Sequence, residues 1–368
     1  MNTAQLKQTL KEYMAIPRLS GYESRMAQRF ASDLEARGGK VQKDRFGNVI
    51  AEFAGTDPEA PKVMVFTHMD TIGFVVTNID EQGFLYVDRV GGVPEKPLPA
   101  LDLLVGTEDG GYVNGLFGMK SYHVLNDAAK DQVDHLNTLF IDIGASSRSE
   151  VENLGIHVGC PVVYAPRFRE LLNDRIAGSY TDAASGLTTL LHLAELLREN
   201  PAPCTVEIVG TVMEEYNARG AMLAQRTAHT ELAVCLLGPG AGDTPDLKGT
   251  NLVRLGGGIG VNLFNFHGKG TLNGNIAHAG LFRTMREASE KTGIPIQRQA
   301  ARGALSDTAY LQLEGEGVPC LDMGGTPDRY SHSPMEVLDL KDLMRCAPLV
   351  YAFLQSITAG YGLDRYSI

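Results

Sequence analysis

A change of texture inside the chain limits its fold more than any other feature. Between Ile72 and about Pro166 lie six short strand-like runs: IGFVVTNI, GFLYVDRV, LLVGT, GYVNGLF, LFIDIGA and CPVVYA. Glycine, asparagine and acidic clusters separate them, and only SSRSEVENLG has helical character. Short strands with turn residues at regular spacing specify an all-β module. On either side, buried strands alternate with amphipathic helices. VMVFTHMD (63–70) is a continuous apolar run, as expected of a strand covered on both faces. TVEIVGTVM (205–213) and LAVCLL (232–237) repeat that pattern, and GIGVNLF (258–264) is a possible fourth strand. The expected fold is therefore α/β, with a mixed, mostly parallel sheet flanked by helices and a β module inserted into it. The expected boundaries are 1–71 and 167–368 for the two parts of the α/β domain and 72–166 for the insertion.

The remaining elements follow from periodicity and turn chemistry. Residues 3–15 and 23–37 read as amphipathic helices, with Ser20-Gly21-Tyr22-Glu23 as a turn and N-cap between them. VQKDRFGNVIAEF (41–53) alternates about Gly47-Asn48 as a hairpin does. Further helices are expected over DAASGLTTLLHLAELLREN from Asp182, over AMLAQRTA, over HAGLFRTMREASEKTG, and from about Leu340 to Thr358. VPCLDMGG reads as another apolar run, followed by the polar loop TPDRYSHSP.

Composition excludes several classes of function. The 368 residues are 43% hydrophobic with a formal charge of −11 and no block of lysine or arginine, which argues against nucleic acid or an anionic membrane as partner. No uninterrupted apolar segment is long enough to span a bilayer, and the amphipathic N-terminus lacks a signal-peptide core. Five cysteines without CxxC spacing fit a reducing cytoplasm.

Chemistry-bearing residues cluster just past the apolar runs: His68-Met69-Asp70, Glu214-Glu215 and Tyr330-Ser331-His332, with Asp182 opening a helix. The ends of parallel strands are where open α/β sheets place ligands. Two imidazoles and several carboxylates form a donor set suited to Zn, Co or Mn. Adjacent glutamates on extended chain point opposite ways, so one can face a metal while the other reaches its water. A glycosidase pair facing across a sugar is poorly built from neighbours. Each residue also has a plainer reading: Asp182 as a helix cap, the glutamates as a solvated strand end, His332 as ordinary surface.

Longer blocks carry a resemblance. SGYE (20–23), DRFGNVIA (44–51), HMDTIGFVV (68–76), LFIDIGA (139–145), MEEYNARGA (213–221) and YSHSPMEV (330–337) stand in order along nearly the whole chain. In these the sequence resembles the M42 metallo-aminopeptidases, the glutamyl and leucyl aminopeptidases related to tetrahedral peptidases. The resemblance implies a phosphorylase/hydrolase-like zinc-peptidase domain interrupted by a β-barrel dimerisation domain. It implies a cytoplasmic homo-oligomer that removes N-terminal residues from short peptides. One or two divalent ions per chain, Zn or Co with Mn as an alternative, would be held by His68, Asp182, Glu215 and His332. Glu214 would be the general base, and Asp70 would steady His68.

The sequence departs from the family at three places. Counting back from Asp243-Thr244-Pro245, the expected aspartate ligand falls on Leu237, and Asp182 is followed by Ala183-Ala184 where another acid or Asn and then Arg are usual. Asn217 replaces a glycine. The corner built on Asp182, Glu215 and His332 keeps three protein ligands, whereas the His68 corner keeps His68 and the shared Asp182. These departures support a rival expectation, a non-catalytic homologue that keeps the fold and binds a ligand or partner.

Overall fold

A computed structural model describes residues 1–130, 132–247, 249, 251–268 and 274–365. Its centre is a sheet of nine strands. Eight follow one another across it in the order Lys40–Lys43, Val49–Phe53, Val206–Thr211, Val63–His68, Leu232–Cys235, Cys320–Gly325, Ile259–Phe266, Gly274–Ile276, and Ile296–Arg302 pairs beside Ile259–Phe266. The four strands from Val206–Thr211 to Cys320–Gly325 run parallel to one another. Their composition explains their position, because apolar side chains on both faces need cover on both. Val63, Val65, Val206, Ile208 and Val234 pack into one core beneath the helices Ser24–Glu35, Thr181–Glu199 and Leu340–Leu354. Met64, Phe66, Val209 and Cys235 point the other way, onto Ala221 and Ala224 of the helix Gly220–Ala228.

The helix Thr181–Glu199 lies very close to the sheet at Gly186. A Cβ there would stand 2.5 Å from Thr67 Oγ1 and 2.7 Å from the Leu236 carbonyl oxygen. The position has no room for a side chain.

The six strand-like runs of the insertion form six strands between Gly73 and Tyr164 that close into a barrel. The barrel has its own core, with Phe74 edge-on to Phe117 at 5.1 Å and packed among Leu85, Leu103, Val105 and Val162. Besides Arg148–Asn153, a helical turn at Asp127–Lys130 was not expected.

A second sheet was not expected either. Phe168–Leu171, Arg175–Gly178, Glu336–Asp339 and Asp328–Arg329 form four antiparallel strands. The strands are short, and none shows clean alternation in the sequence, so periodicity does not reveal them. Two smaller points concern helix termini. The N-cap expected within Ser20-Gly21-Tyr22-Glu23 is Glu23, which makes no side-chain cap bond. The last helix stops at Leu354, ahead of Thr358.

Candidate metal centre

The parallel strands deliver their polar ends to one level. Thr211 is registered against His68, and the Leu236 amide donates to the Phe66 carbonyl at 2.8 Å. The chain beyond Thr211 therefore brings Glu214-Glu215, and the chain beyond Leu236 brings Leu237, to the carboxyl edge beside His68. The second sheet supplies the rest. Asp182 follows the strand Arg175–Gly178, and His332 sits in the turn between Asp328–Arg329 and Glu336–Asp339. All four expected metal ligands and Glu214 thus converge, although they come from two sheets.

The two histidines are held alike. His68 Nδ1 lies 3.2 Å from the Asp70 carbonyl oxygen, and His332 Nδ1 lies 3.0 Å from the carbonyl oxygen of Gly92, in the barrel segment. A main-chain oxygen can only accept, so each ring donates from Nδ1 and turns its Nε2 inward. His68 Nε2 lies 3.1 Å from one Asp182 oxygen, and His332 Nε2 lies 3.9 Å from the other and 3.6 Å from Glu215. Two sets of donor atoms each lie within 4.8 Å of one another, His68 with Glu214 and Glu215, and Asp182 with Glu215 and His332. Leu237 lines the same cavity as Asp182, Glu214, Glu215 and His332.

Asp70 does more than meet His68. Its carboxylate is 3.6 Å from Nδ1, but its two oxygens accept the amides of Glu214 and Glu215 at 3.0 Å each. It therefore fixes the backbone of the glutamate pair. Asp182 is not an ordinary N-cap. It and Ala183 have non-helical backbone angles at the entry to the helix, and the peptide between them is cis.

Three buried acids carry structural work that sequence reasoning left unassigned. Glu336 accepts the His332 amide at 2.8 Å with one oxygen, and with the other the Thr181 hydroxyl at 2.9 Å and the Asp182 amide at 3.2 Å. One carboxylate thus ties together the loops bearing two expected ligands. Glu23 Oε1 accepts the amides of Gly21 and Met213, next to the glutamate pair. Asp307 accepts the Thr211 hydroxyl at 2.9 Å. The available signal was an acid inside an otherwise apolar stretch, as in SPMEV, where Glu336 is almost fully buried.

The site holds more negative charge than its own groups can balance. Burial, then Glu215, Asp307 and Asp70, push the Glu214 carboxyl well above the usual range against the pull of His68. Burial and the charge of Asp182 do the same to Glu215. Burial works against a charged His68, yet its contacts with Asp182 and Asp70 raise it well above an ordinary imidazole. The nearby buried cation, Arg18, is committed to the carbonyls of Tyr13 and Tyr180. Carboxylates crowded around two inward-facing imidazole nitrogens fit a divalent cation, because its charge removes the repulsion and its coordination uses the lone pairs.

Residues 47–349 match the M42 glutamyl aminopeptidase family. The chain belongs to the M42 peptidases. This M42 chain is 35% identical to the putative aminopeptidase SgcX of Escherichia coli K12, over 98% of its own length and 96% of that protein. It is 32% identical to a lysyl aminopeptidase of Pyrococcus furiosus, over 95% and 96%. Among solved structures, the aminopeptidase APDkam598 of Desulfurococcus kamchatkensis superposes with a TM-score of 0.92 at 30% identity, over 100% of this chain and 98% of that one. The fold expected from the sequence, a mixed α/β sheet interrupted by a β barrel, is the fold of these peptidases, and the enzyme expectation stands with it. The M42 family is metal-dependent, and the described donor groups agree with that requirement.

Proposed function

We propose that the chain is a metal-dependent aminopeptidase acting on short peptides, with Asp182, Glu215, His332 and His68 as metal ligands and Glu214 as general base. The observation that carries this reading is the pair of donor groups meeting at Glu215, with both histidines presenting Nε2 inward. A bound Zn²⁺ or Co²⁺, or Mn²⁺ in their place, would acidify a coordinated water and polarise the scissile carbonyl.

The chain's own residues supply the rest. Glu214, beside His68 and Glu215, would take a proton from water and return it to the leaving amine. Asp70 holds the amides of Glu214 and Glu215, so the base keeps its place as its charge changes. Glu336 holds the loops of Asp182 and His332 at their mutual distance.

Loaded with Zn²⁺, Co²⁺ or Mn²⁺, the protein should hydrolyse aminoacyl arylamides. Glu214→Gln should lower kcat by about 10²–10⁴, the usual worth of a positioned base, with metal content unchanged. Equal metal loss in Glu214→Gln would mean that Glu214 is a ligand. Absence of hydrolysis with every metal would favour the non-catalytic homologue.

The reading extends to assembly and location. We place the insertion at 72–166 as a separate barrel unit through which copies associate. Met119, Tyr122, Val124 and Val133, beside the barrel strands, are exposed large apolar side chains, which supports a covering partner. A Pyrococcus horikoshii TET1 peptidase, 25% identical with a TM-score of 0.82, assembles into a tetrahedron or an octahedral shell. No helix among the described residues is long and apolar enough to cross a membrane, and scattered cysteines without disulfides support the cytoplasm.

A further inference from the structure

A cavity of about 700 Å³ lies in the seam between the α/β domain and the barrel, and among the described residues it shares no wall with the metal-ligand cavity. The start of the helix Ser24–Glu35 and the hairpin residues Lys43 and Phe46 face barrel residues around Tyr112 and Gly159 across it. We infer that this cavity binds a free α-amino acid with an apolar side chain, and that the bound molecule acts on the segment carrying Glu214. The effect on catalysis rests on the aminopeptidase reading, under which such amino acids are released. The binding does not.

One side of the cavity offers donors. The helix opens into it with Ser24 and Arg25 in the wall, and its N-cap residue, Glu23, gives no side-chain cap. The amides of Ser24 and Arg25 cannot bond within the helix, so they and the positive end of its dipole are open to a carboxylate. Arg25 donates to the Gly110 carbonyl and lies over the Tyr112 ring at 5.3 Å, which fixes its charge at this wall. Lys43 is exposed in the same wall. The other side offers an acceptor. Glu23 is only 6% exposed, and its Oε1 takes the amides of Gly21 and Met213 at 2.8 and 3.0 Å. Its Oε2 has no donor among the described residues, yet it is not sealed in, and the space that Glu23 borders is this cavity.

A bare anion would meet the helix amides and two cations, but also the Glu23 carboxylate, which repels it. A bare amine would suit Glu23 and leave the amides and both cations unused. A zwitterion answers both, with its ammonium on Oε2 and its carboxylate at the helix start, and such charge-assisted bonds are the strong ones. An α-amino acid carries its two charges on one carbon, which suits partners that are adjacent residues of the chain. Glu108 also lines the cavity, but it is exposed and lies 3.8 Å from His157. Phe46, Val158 and Val212 give the wall its apolar part, and Val158 is an exposed side chain that an apolar ligand would cover. The link to chemistry runs through one carboxylate. The oxygen opposite the ammonium holds the Met213 amide, one residue ahead of Glu214.

The test titrates the full chain by calorimetry, loaded with Zn²⁺ and after chelation, against L-leucine, N-acetyl-L-leucine, L-leucinamide and sulfate. L-Leucine should bind one site that survives removal of the metal. The two derivatives each lack one charge and should bind that site about 10–100-fold more weakly, the worth of a hydrogen bond to a charged group. Lys43→Ala and Glu23→Gln should each weaken leucine binding by about 10-fold. Lys43 is exposed, so its variant gives the reading even if Glu23→Gln does not fold. In the Zn²⁺-loaded enzyme, leucine should lower kcat for leucine p-nitroanilide as well as raise KM, and Lys43→Ala should leave simple competition. Absence of leucine binding in the chelated chain would overturn the site. Sulfate binding as tightly as leucine would overturn its amino-acid chemistry, and purely competitive inhibition of the wild type would overturn the action on Glu214. Leucine binding without hydrolysis of any substrate would support the site and overturn the peptidase.

Discussion

The two corners of the candidate metal centre are built to different standards. The outer corner has Asp182, Glu215 and His332, and two of these three are tied together from behind by Glu336. The inner corner has His68, reaching Asp182 at 3.1 Å, with Glu214 and Glu215 as its other neighbouring donors and Leu237 in its wall. A metal at the inner corner would therefore have to share both Asp182 and Glu215 with the outer one, or take Glu214, which would remove the base. On the sequence reading that a carboxylate is usual at Leu237, the inner corner would be half a site although it keeps its imidazole, because an isobutyl group stands just past a neighbouring strand.

The largest effect that would break this contrast is a change in stoichiometry. The wild-type chain should hold about one tightly bound Zn²⁺ or Co²⁺. Leu237→Asp should raise the number toward two, since it restores a carboxylate at the edge of the strand beside His68 and offsets repulsion between two dications. Without metal the same variant should be less stable than wild type, because it adds charge to an acid-rich cavity. Calorimetric titration reads the number directly. Two tight ions in the unmodified chain would show that another group completes the inner corner.

Most of the centre was legible in the sequence, and the reason is topological. His68, the glutamate pair and Leu237 are reached by reading past continuous apolar runs, because parallel strands put chemistry at their ends. The barrel was legible too, since each of its six strands falls in a separate strand-like run bounded by turn residues. The second sheet was not. Phe168–Leu171 and Asp328–Arg329 are too short and too mixed to show a period, yet the sheet they build sets the distance between Asp182 and His332. Glu336, Glu23 and Asp307 escaped because an acid serving backbone amides or a hydroxyl has no motif of its own.

The next effect is on stability and concerns the inner corner's surplus of acid. Burial and then the charge of Asp70 raise the Glu23 carboxyl from 4.5 to about 7, against the amides of Gly21 and Met213, which favour its anion. The folded protein thus holds this proton more tightly than the unfolded chain. The group has no effect on stability while both states keep the proton, below about pH 4.5. Stability then falls as pH rises toward about 7 and is level above it. The total is roughly 3 kcal/mol at 1.36 kcal/mol per pH unit. Both backbone donors use the same oxygen, Oε1, so Glu23→Gln keeps them and removes the charge. Urea unfolding of the metal-free protein should show a flatter stability curve between those pH values for the variant. Parallel curves for the two proteins would remove Glu23 from the account.

The smallest effect tests the outer corner. Glu336→Gln keeps the size of the side chain but converts one of its two acceptor oxygens into an NH₂ donor. Either the His332 amide or the Thr181 hydroxyl and Asp182 amide then face a group that cannot accept from them. Loss of a residue that orients metal ligands typically weakens metal binding by about 10–100-fold, which is about 1.4–2.8 kcal/mol. The loss should fall on the single tight ion of the wild-type protein, because that ion sits between the two loops Glu336 joins. In the Leu237→Asp background the inner ion should be affected less, since His68 is held by the Asp70 carbonyl and Leu237 lies past the end of another strand, away from Glu336's loops. A competition titration against a chelator measures both affinities in one series. Equal weakening of the two ions would mean that the corners act as one rigid unit through Asp182, and the contrast between them would be one of ligand count alone.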